Sequence, residues 1–512
     1  MESRTKNGVR NIYSAFVNQA ISIVLPFIVR TVFIRSLGEQ YLGLNSLFVS
    51  ILNVLNLSEL GFGSALVFSM YKPLAQNDTK KICQLLNAYK KIYRGIGVSI
   101  MIIGVLITPF VPKIIKGSVP SDINIYVLYL IYLFNASISY FVFAYKKALL
   151  KASQRSDIIS NVATITTTIT NLLQLLILIV LPNFYLYVII YPIFTIIDNI
   201  IAAYYTQKLY PDIRCEGKMS KEDKQEMKKH VIGIAIQKFC STSRDSFDNI
   251  VISLYLGLST ITMYNNYYYI MSAVHAALYQ IPNAIRASVG NNIAIESQEK
   301  NYKDFKTMNF IYIWIVGVCA ICLLCLFQPF MNIWMGNKLM FSFSTVILIC
   351  VYFYGLGMSD IISLYKDGAG LWWIGKVRTI SEAICNLILN FVLGKFFGVN
   401  GIIFSSIITL YIIGLGYGGY IIFKGYFKSY SFLKYVIQQL GYMIATIFVG
   451  AIVYWICSLL HGNEVIMLLM RLIICVGVTS LLFFFIYRKT EVFSEAKKFT
   501  FKIISTFRRK SK

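Results

Sequence analysis

The chain has 512 residues, 57% hydrophobic and 14% charged, with a formal charge of +25 and a mean hydropathy of +0.64. This excludes a water-soluble protein, because apolar runs long enough to cross a bilayer recur from end to end. It also argues against a nucleic-acid partner, since Lys and Arg sit in short loops between those runs instead of forming one basic face.

The N-terminal MESRTKNGVR is basic, and the apolar run after it is a full span with no small-residue cleavage site. It is therefore expected to be retained. Fourteen spans are expected, near 11–34, 42–70, 94–114, 123–145, 158–181, 184–206, 231–256, 261–287, 307–329, 341–365, 376–397, 401–423, 432–460 and 465–487. Taken alternately, the loops on the N-terminal side are crowded with Lys and Arg. The opposite loops and the span ends beside them hold only Arg35, Lys113, Lys116, Lys338 and Lys395. This bias places both termini in the cytoplasm, and one missed span would have erased it by inverting every later loop.

After span 2, KKICQLLNAYKKIYR puts Ile82, Leu85, Leu86, Tyr89 and Tyr93 on one helical face and lysines on the other. Phe493, Ala496, Phe499, Ile503 and Phe507 do the same in the basic tail. Both segments are expected to lie on anionic lipid. Of ten cysteines none falls in an expected outer loop, so no extracellular disulfide is expected. Cys319, Cys322 and Cys325 have C-x-x-C-x-x-C spacing in mid-span with no His or carboxylate nearby. They read as packing residues, and no metal or cofactor is expected.

The halves repeat. SLGEQYLGLNSLFVSI at 36–51 resembles YLGLSTITMYNNYYYI at 255–270, pairing Leu37 with Leu256 and Gly38 with Gly257, and Tyr145-Lys146 matches Tyr365-Lys366 at nearly the same offset. The expected plan is all-α: a six-helix bundle in 1–206, a polar linker at 207–230 and a parallel six-helix bundle in 231–424. Helices 13 and 14 in 425–487 and a basic tail at 488–512 lie outside the repeat, and the substrate site is expected between the bundles.

An ionisable side chain in a span costs at least about 2.5–3.5 kcal/mol, so such residues mark interiors or wet cavities. In span 7, Gln237, Ser241, Arg244 and Asp248 form one helical stripe and Lys238, Thr242, Asp245 and Asn249 the next. Span 1 offers Gln19 and Arg30, span 2 Asn45 and Glu59, and span 8 His275 with Arg286 at its inner end. Arg30, Arg244, Lys238 and Arg286 would make a cationic cleft suited to diphosphate, because guanidinium grips phosphate oxygens in two places at once. Asn45 and Gln19 would line it, and Glu59, Asp245 and Asp248 are the ion-coupling candidates. Blander readings stand beside these. Arg244 and Asp248, four apart, can neutralise each other. Glu59 can hold a helix contact. His275 reads as a hydrogen-bonded packing residue. Asp198, Asp360 and Glu382 read as structural, and the tyrosines at 264 and 267–269 as an interfacial belt.

SLGEQYLGLNSLFVSILNVLNLSELGFGSALVFSMYKPLAQND resembles the opening of the Wzx-type polysaccharide-biosynthesis flippases, and YKDGAGLWWIGKVRTISEAICNLILNFVLGKFFGVNGIIFSSIIT at 365–409 resembles their second half. The resemblance implies a MATE-like, V-shaped exporter fold and a transporter, not an enzyme. It also implies transfer of undecaprenyl-diphosphate-linked oligosaccharide between the leaflets of a bacterial cytoplasmic membrane, by alternating access, for O-antigen, capsule or exopolysaccharide synthesis. Its implied partners are that lipid, the bilayer, Na+ or H+, and the pathway's polymerase and glycosyltransferases. The alternative is an ion-coupled multidrug antiporter of the same fold. A polymerase or glycosyltransferase is disfavoured by the short outer loops and the lack of a soluble nucleotide-sugar domain.

Overall fold

The computed structural model describes residues 21, 23–56, 62–117, 119–220, 225, 246–371 and 375–510. The described residues are helical, with no strand among them. α7 (Ser156–Val180) shows how such a helix suits lipid. Thr166, Thr170, Asn171 and Gln174 are buried, whereas Ile165, Ile169, Leu172, Leu176 and Ile179 are exposed. That is the reverse of a helix in water: hydrocarbon takes the apolar face, and the polar groups find partners inside.

Packing divides the chain into two units, Met1–Thr262 and Met263–Lys512. Unit 1 contains α1 (23–36), α2 (Glu39–Leu55), α3 (Phe62–Ala75), α4 (Thr79–Ile107), α5 (Ile125–Phe141), α6 (Lys147–Ala152), α7, α8 (Phe184–Leu209) and α9 (Ser246–Leu256). It also contains the first turn of α10 (Leu258–Ile295). Side-chain caps start several of these helices: Asp78 accepts from Lys81 N before α4, and Asn124 from Tyr126 N and Val127 N before α5. α2 runs antiparallel to α9 and the start of α10. Asn249 Nδ2 donates to Ser50 Oγ at 2.9 Å and Thr262 Oγ1 to Glu39 O at 2.6 Å. Between these bonds Gly43 lets the backbones touch, since a Cβ there would lie 2.3 Å from Leu258 O. Lys116 Nζ caps the C-terminus of α9 at Tyr255 O, 2.5 Å away, where the helix dipole favours a cation.

The amphipathic face of α4 has the composition expected from the sequence, but protein covers it, not lipid. Ile82, Leu85, Leu86, Tyr89 and Tyr93 are all buried. Tyr93 packs on Tyr140 of α5 at 5.2 Å, and Asn87 Nδ2 donates to Gly217 O of the linker at 2.7 Å. Periodicity reveals an apolar face; it does not reveal what covers it.

Unit 2 is built around α11 (Gln298–Met335), which packs on α12 (Phe343–Gly368), α15 (Phe432–Ser458), α16 (Glu464–Tyr487) and the tail helix α17 (Glu491–Lys510). The tail uses the face expected for lipid partly against protein. Phe493 stacks on Trp314 at 6.0 Å and Ala496 is buried, while Phe501 is exposed. Tyr267 belongs to the core and not to an interfacial belt: it is fully buried and donates to Gln328 Oε1 at 3.0 Å. α13 (Gly375–Ile408) breaks at Gly398, whose φ of 59° and ψ of −138° are non-helical. Glycine supplies that conformation without strain. The chain turns back there, because Asn390 receives a bond from Ser405 and Asn386 Nδ2 donates to Ser406 Oγ at 3.1 Å. A π-helical segment, Thr409–Tyr417, and α14 (Gly418–Gly425) complete the returning arm. The run Gly375–Gly425 is thus two antiparallel passes.

The repeat recurs in the elements. α2, α4 and α7 begin at residues 39, 79 and 156, and α10, α11 and α13 at 258, 298 and 375, one constant offset. Gly38 and Gly257 occupy equivalent turns with φ of 106° and 90°. Among the described residues eight helices are long and apolar enough to cross a membrane, or nine if the bent pair α5–α6 forms one span.

Candidate functional site

In each unit polar side chains meet on the inner faces of apolar helices. In unit 1, α5 and α8 share a seam: Thr195 Oγ1 donates to Asn135 Oδ1 at 3.0 Å, and Asn199 Nδ2 to Ser139 Oγ at 3.1 Å. Asn45 on α2 accepts from Tyr132 of α5. The hydroxyls of Tyr187 and Tyr191 lie 3.2 Å apart. Arg30, on α1, is close enough to Tyr187 for its charge to act on that phenol, and its Nη2 is buried. Phe33, one turn further on, packs edge-on to the same ring at 4.9 Å. Lys147 pairs with Asp198, which also accepts from Thr166 at 3.4 Å. Asp248, on α9, is 4% exposed and adjacent to Asn249, whose amide bonds α2.

In unit 2 three helices converge on one carboxylate. Asp360 of α12 is 6% exposed. It accepts from Tyr312 of α11 at 2.7 Å and lies 3.1 Å from His275 Nε2 of α10. Further along α10, Arg286 donates to Asp367 at 3.0 Å and to Tyr279 at 2.8 Å. Within the α13 hairpin, Arg378 and Glu382 pair at 3.4 Å beside the amides of Asn386 and Asn390. Ion pairs and charge-assisted bonds of this kind are what allow ionisable groups inside a bilayer.

Of the residues expected at the site, Arg30, Asn45, Asp248 and Arg286 lie on α1, α2, α9 and α10, and Arg286 has an acidic partner. Gln19, Glu59, Lys238, Arg244 and Asp245 lie outside the described residues. The sequence reading passed over Tyr132, Tyr187, Asn135, Asn199 and Tyr312. Polar residues four apart inside apolar runs, Asn135 and Ser139 in α5 and Thr195 and Asn199 in α8, would have flagged both helices. Nothing local marks a tyrosine as a buried donor. His275 is hydrogen-bonded, as its packing role required, but its partner is an acid on another helix.

No family model and no curated protein matches the chain in sequence. Solved structures do match in fold. The lipid II flippase MurJ, in an inward closed conformation, aligns with a TM-score of 0.68 at 15% identity, over 94% of this chain and 99% of that one. An inward-facing multidrug resistance MATE family transporter of the MOP superfamily aligns with 0.61 at 14% identity, over 79% and 97%. A variant of the Vibrio cholerae MATE transporter VcmN aligns with 0.55 at 11% identity, over 84% and 98%. The chain has the fold that these transporters share.

Proposed function

We propose that the chain is a flippase that carries a polyprenyl-diphosphate-linked oligosaccharide across the membrane. The headgroup would pass through a wet, cationic interior while the polyprenyl tail stays in lipid. The observation that carries this reading is the extent of the likeness to a lipid II flippase, which runs over 94% of this chain. The MATE transporters above align with less of it, 79% and 84%. Arg30 suits the same reading, because a guanidinium can grip phosphate oxygens in two places at once. Arg30, Arg244, Lys238 and Arg286 are the proposed diphosphate contacts, with Asn45 and Gln19 for the sugar. Alternating exposure of the site needs no covalent chemistry. An H+ or Na+ gradient acting through Glu59, Asp245 or Asp248 would drive it.

The drug-antiporter reading draws on the buried acids, which would suit an organic cation. Two of them are engaged within the protein, Asp360 by Tyr312 and His275 and Glu382 by Arg378, and this favours the flippase. The test is transport of fluorescent lipid-linked oligosaccharide in proteoliposomes, with an organic cation as the competing substrate. Arg30→Ala and Arg244→Ala are each expected to slow the lipid at least several-fold at normal expression. Cation export with no lipid transport would reverse the choice.

A further inference from the structure

Four of the ten cysteines come from distant parts of the chain and meet in unit 2. Cys325 on α11, Cys457 near the end of α15 and Cys475 in the middle of α16 are buried, with their sulfurs within 4.8 Å of one another. The Cys457 and Cys475 sulfurs are 3.8 Å apart. Cys322, one turn before Cys325, packs against the same cluster. Around them stand Ile321, Val449, Val453 and Phe483, all apolar. Buried cysteines commonly serve as small apolar packing groups. Packing alone does not call for three helices each to contribute a sulfur to the same point.

The spacing matches a known coordination geometry. With a zinc–sulfur bond of about 2.3 Å, the corners of a tetrahedral site lie about 3.8 Å apart. The cluster also has an entrance. Cys325 and Cys457 line a pocket of about 560 Å³, shared with Gln328, His461, Glu464 and Arg471. Arg471 lies one turn before Cys475, and its buried Nε has no hydrogen-bond partner within the described protein.

We propose that Cys325, Cys457 and Cys475 form a site for one thiophilic d10 metal ion, Zn(II) or Cu(I), entered from this pocket, with Cys322 as a fourth sulfur within reach. Soft thiolates select such ions, and each ligating thiol loses its proton to water as the metal binds. The ion would tie α16 to α11 and α15. The buried residues of α16 are Cys475, Thr479 and Phe483, so the ion would sit on the stripe by which α16 meets its neighbours. This site is independent of the transport reading.

The test uses full-length protein in detergent with Cys83→Ser and Cys215→Ser, which removes the thiols of the α4–linker region. Cd(II) is the spectroscopic probe, and Zn(II) and Cu(I) compete with it. One equivalent per chain is expected to raise a thiolate-to-metal charge-transfer band, release protons and increase Tm by several degrees. Cys475→Ser, nearly isosteric, should abolish all three. In the protein without that third substitution, metal should also protect Cys325, Cys457 and Cys475 from alkylation, read by mass spectrometry, so the proposal remains testable if Cys475→Ser misfolds. No band at one equivalent, a band that survives Cys475→Ser, or a Cys457–Cys475 disulfide in freshly isolated protein would overturn it.

Discussion

Gly43 shows how one residue can set an interhelical distance. Its missing Cβ leaves room for the Leu258 carbonyl, which a methyl group would meet at 2.3 Å. Gly43→Ala must push α2 away from the α9–α10 junction, and overpacking of this kind costs about 1–3 kcal/mol. Thermal unfolding in detergent should show a clear loss, and an unchanged Tm would mean the two backbones are not held together. Tyr312 is a second case. Tyr312→Phe removes the hydroxyl that donates to Asp360 at 2.7 Å and leaves His275 as the carboxylate's partner among the described residues. Removing a donor from a buried carboxylate costs about 1–3 kcal/mol. The expected result is lower stability, with Tyr279→Phe as the control, because Tyr279 bonds Arg286 instead. Equal Tm values for the two variants would refute the assignment. The sequence signalled that Asp360 needs partners, since an acid in a span demands them. It could not choose Tyr312, which lies 48 positions away on another helix.

Among the elements, α17 is the one whose attachment can be titrated. Lys303 on α11 and Glu495 on α17 pair at 3.2 Å, with Lys498 at 3.6 Å. The hydrogen bond from Lys303 holds the Glu495 carboxyl below the usual range, and the nearby lysine charges add to that effect. A carboxyl lowered by docking stabilises the docked state at neutral pH. That contribution weakens as pH falls through the ordinary carboxylate range and is gone below the lowered value. The pair is exposed, so salt should screen it and its effect should be small. Protection of the α17 amides, relative to the intrinsic exchange rate at each pH, is expected to fall in acid, in high salt and in Glu495→Gln, while the packing of Phe493 on Trp314 keeps part of the helix protected. Exchange unaffected by any of the three would show that the ion pair contributes nothing. Helix type and the apolar faces of α4 and α17 were legible from periodicity. That protein covers the α4 face was not, because an apolar stripe looks the same whether lipid or another helix lies over it.

At the scale of the whole molecule, the weak match between SLGEQYLGLNSLFVSI and YLGLSTITMYNNYYYI is accompanied by one constant offset between the starts of α2, α4 and α7 and those of α10, α11 and α13. The charge asymmetry makes a topological prediction. Reporter fusions after residues 90, 150 and 220 should report the cytoplasm, and those after 119 and 183 the outside. A fusion near 398, at the tip of the α13 hairpin, should also report outside, as the antiparallel passes require. A cytoplasmic signal there would break the span order.

Membrane habit, helix class, the repeat and the polar stripes on spans 1, 2, 7 and 8 follow from the sequence by itself. Each depends on the composition or periodicity of a single segment, and those are local quantities. Only the tertiary structure decided that Asp360 meets both His275 and Tyr312, that Arg286 meets Asp367, and that Cys325 meets Cys457 and Cys475. These contacts join helices far apart in the chain. Which residues touch across helices is set by packing the whole bundle, and no spacing within one segment reports it.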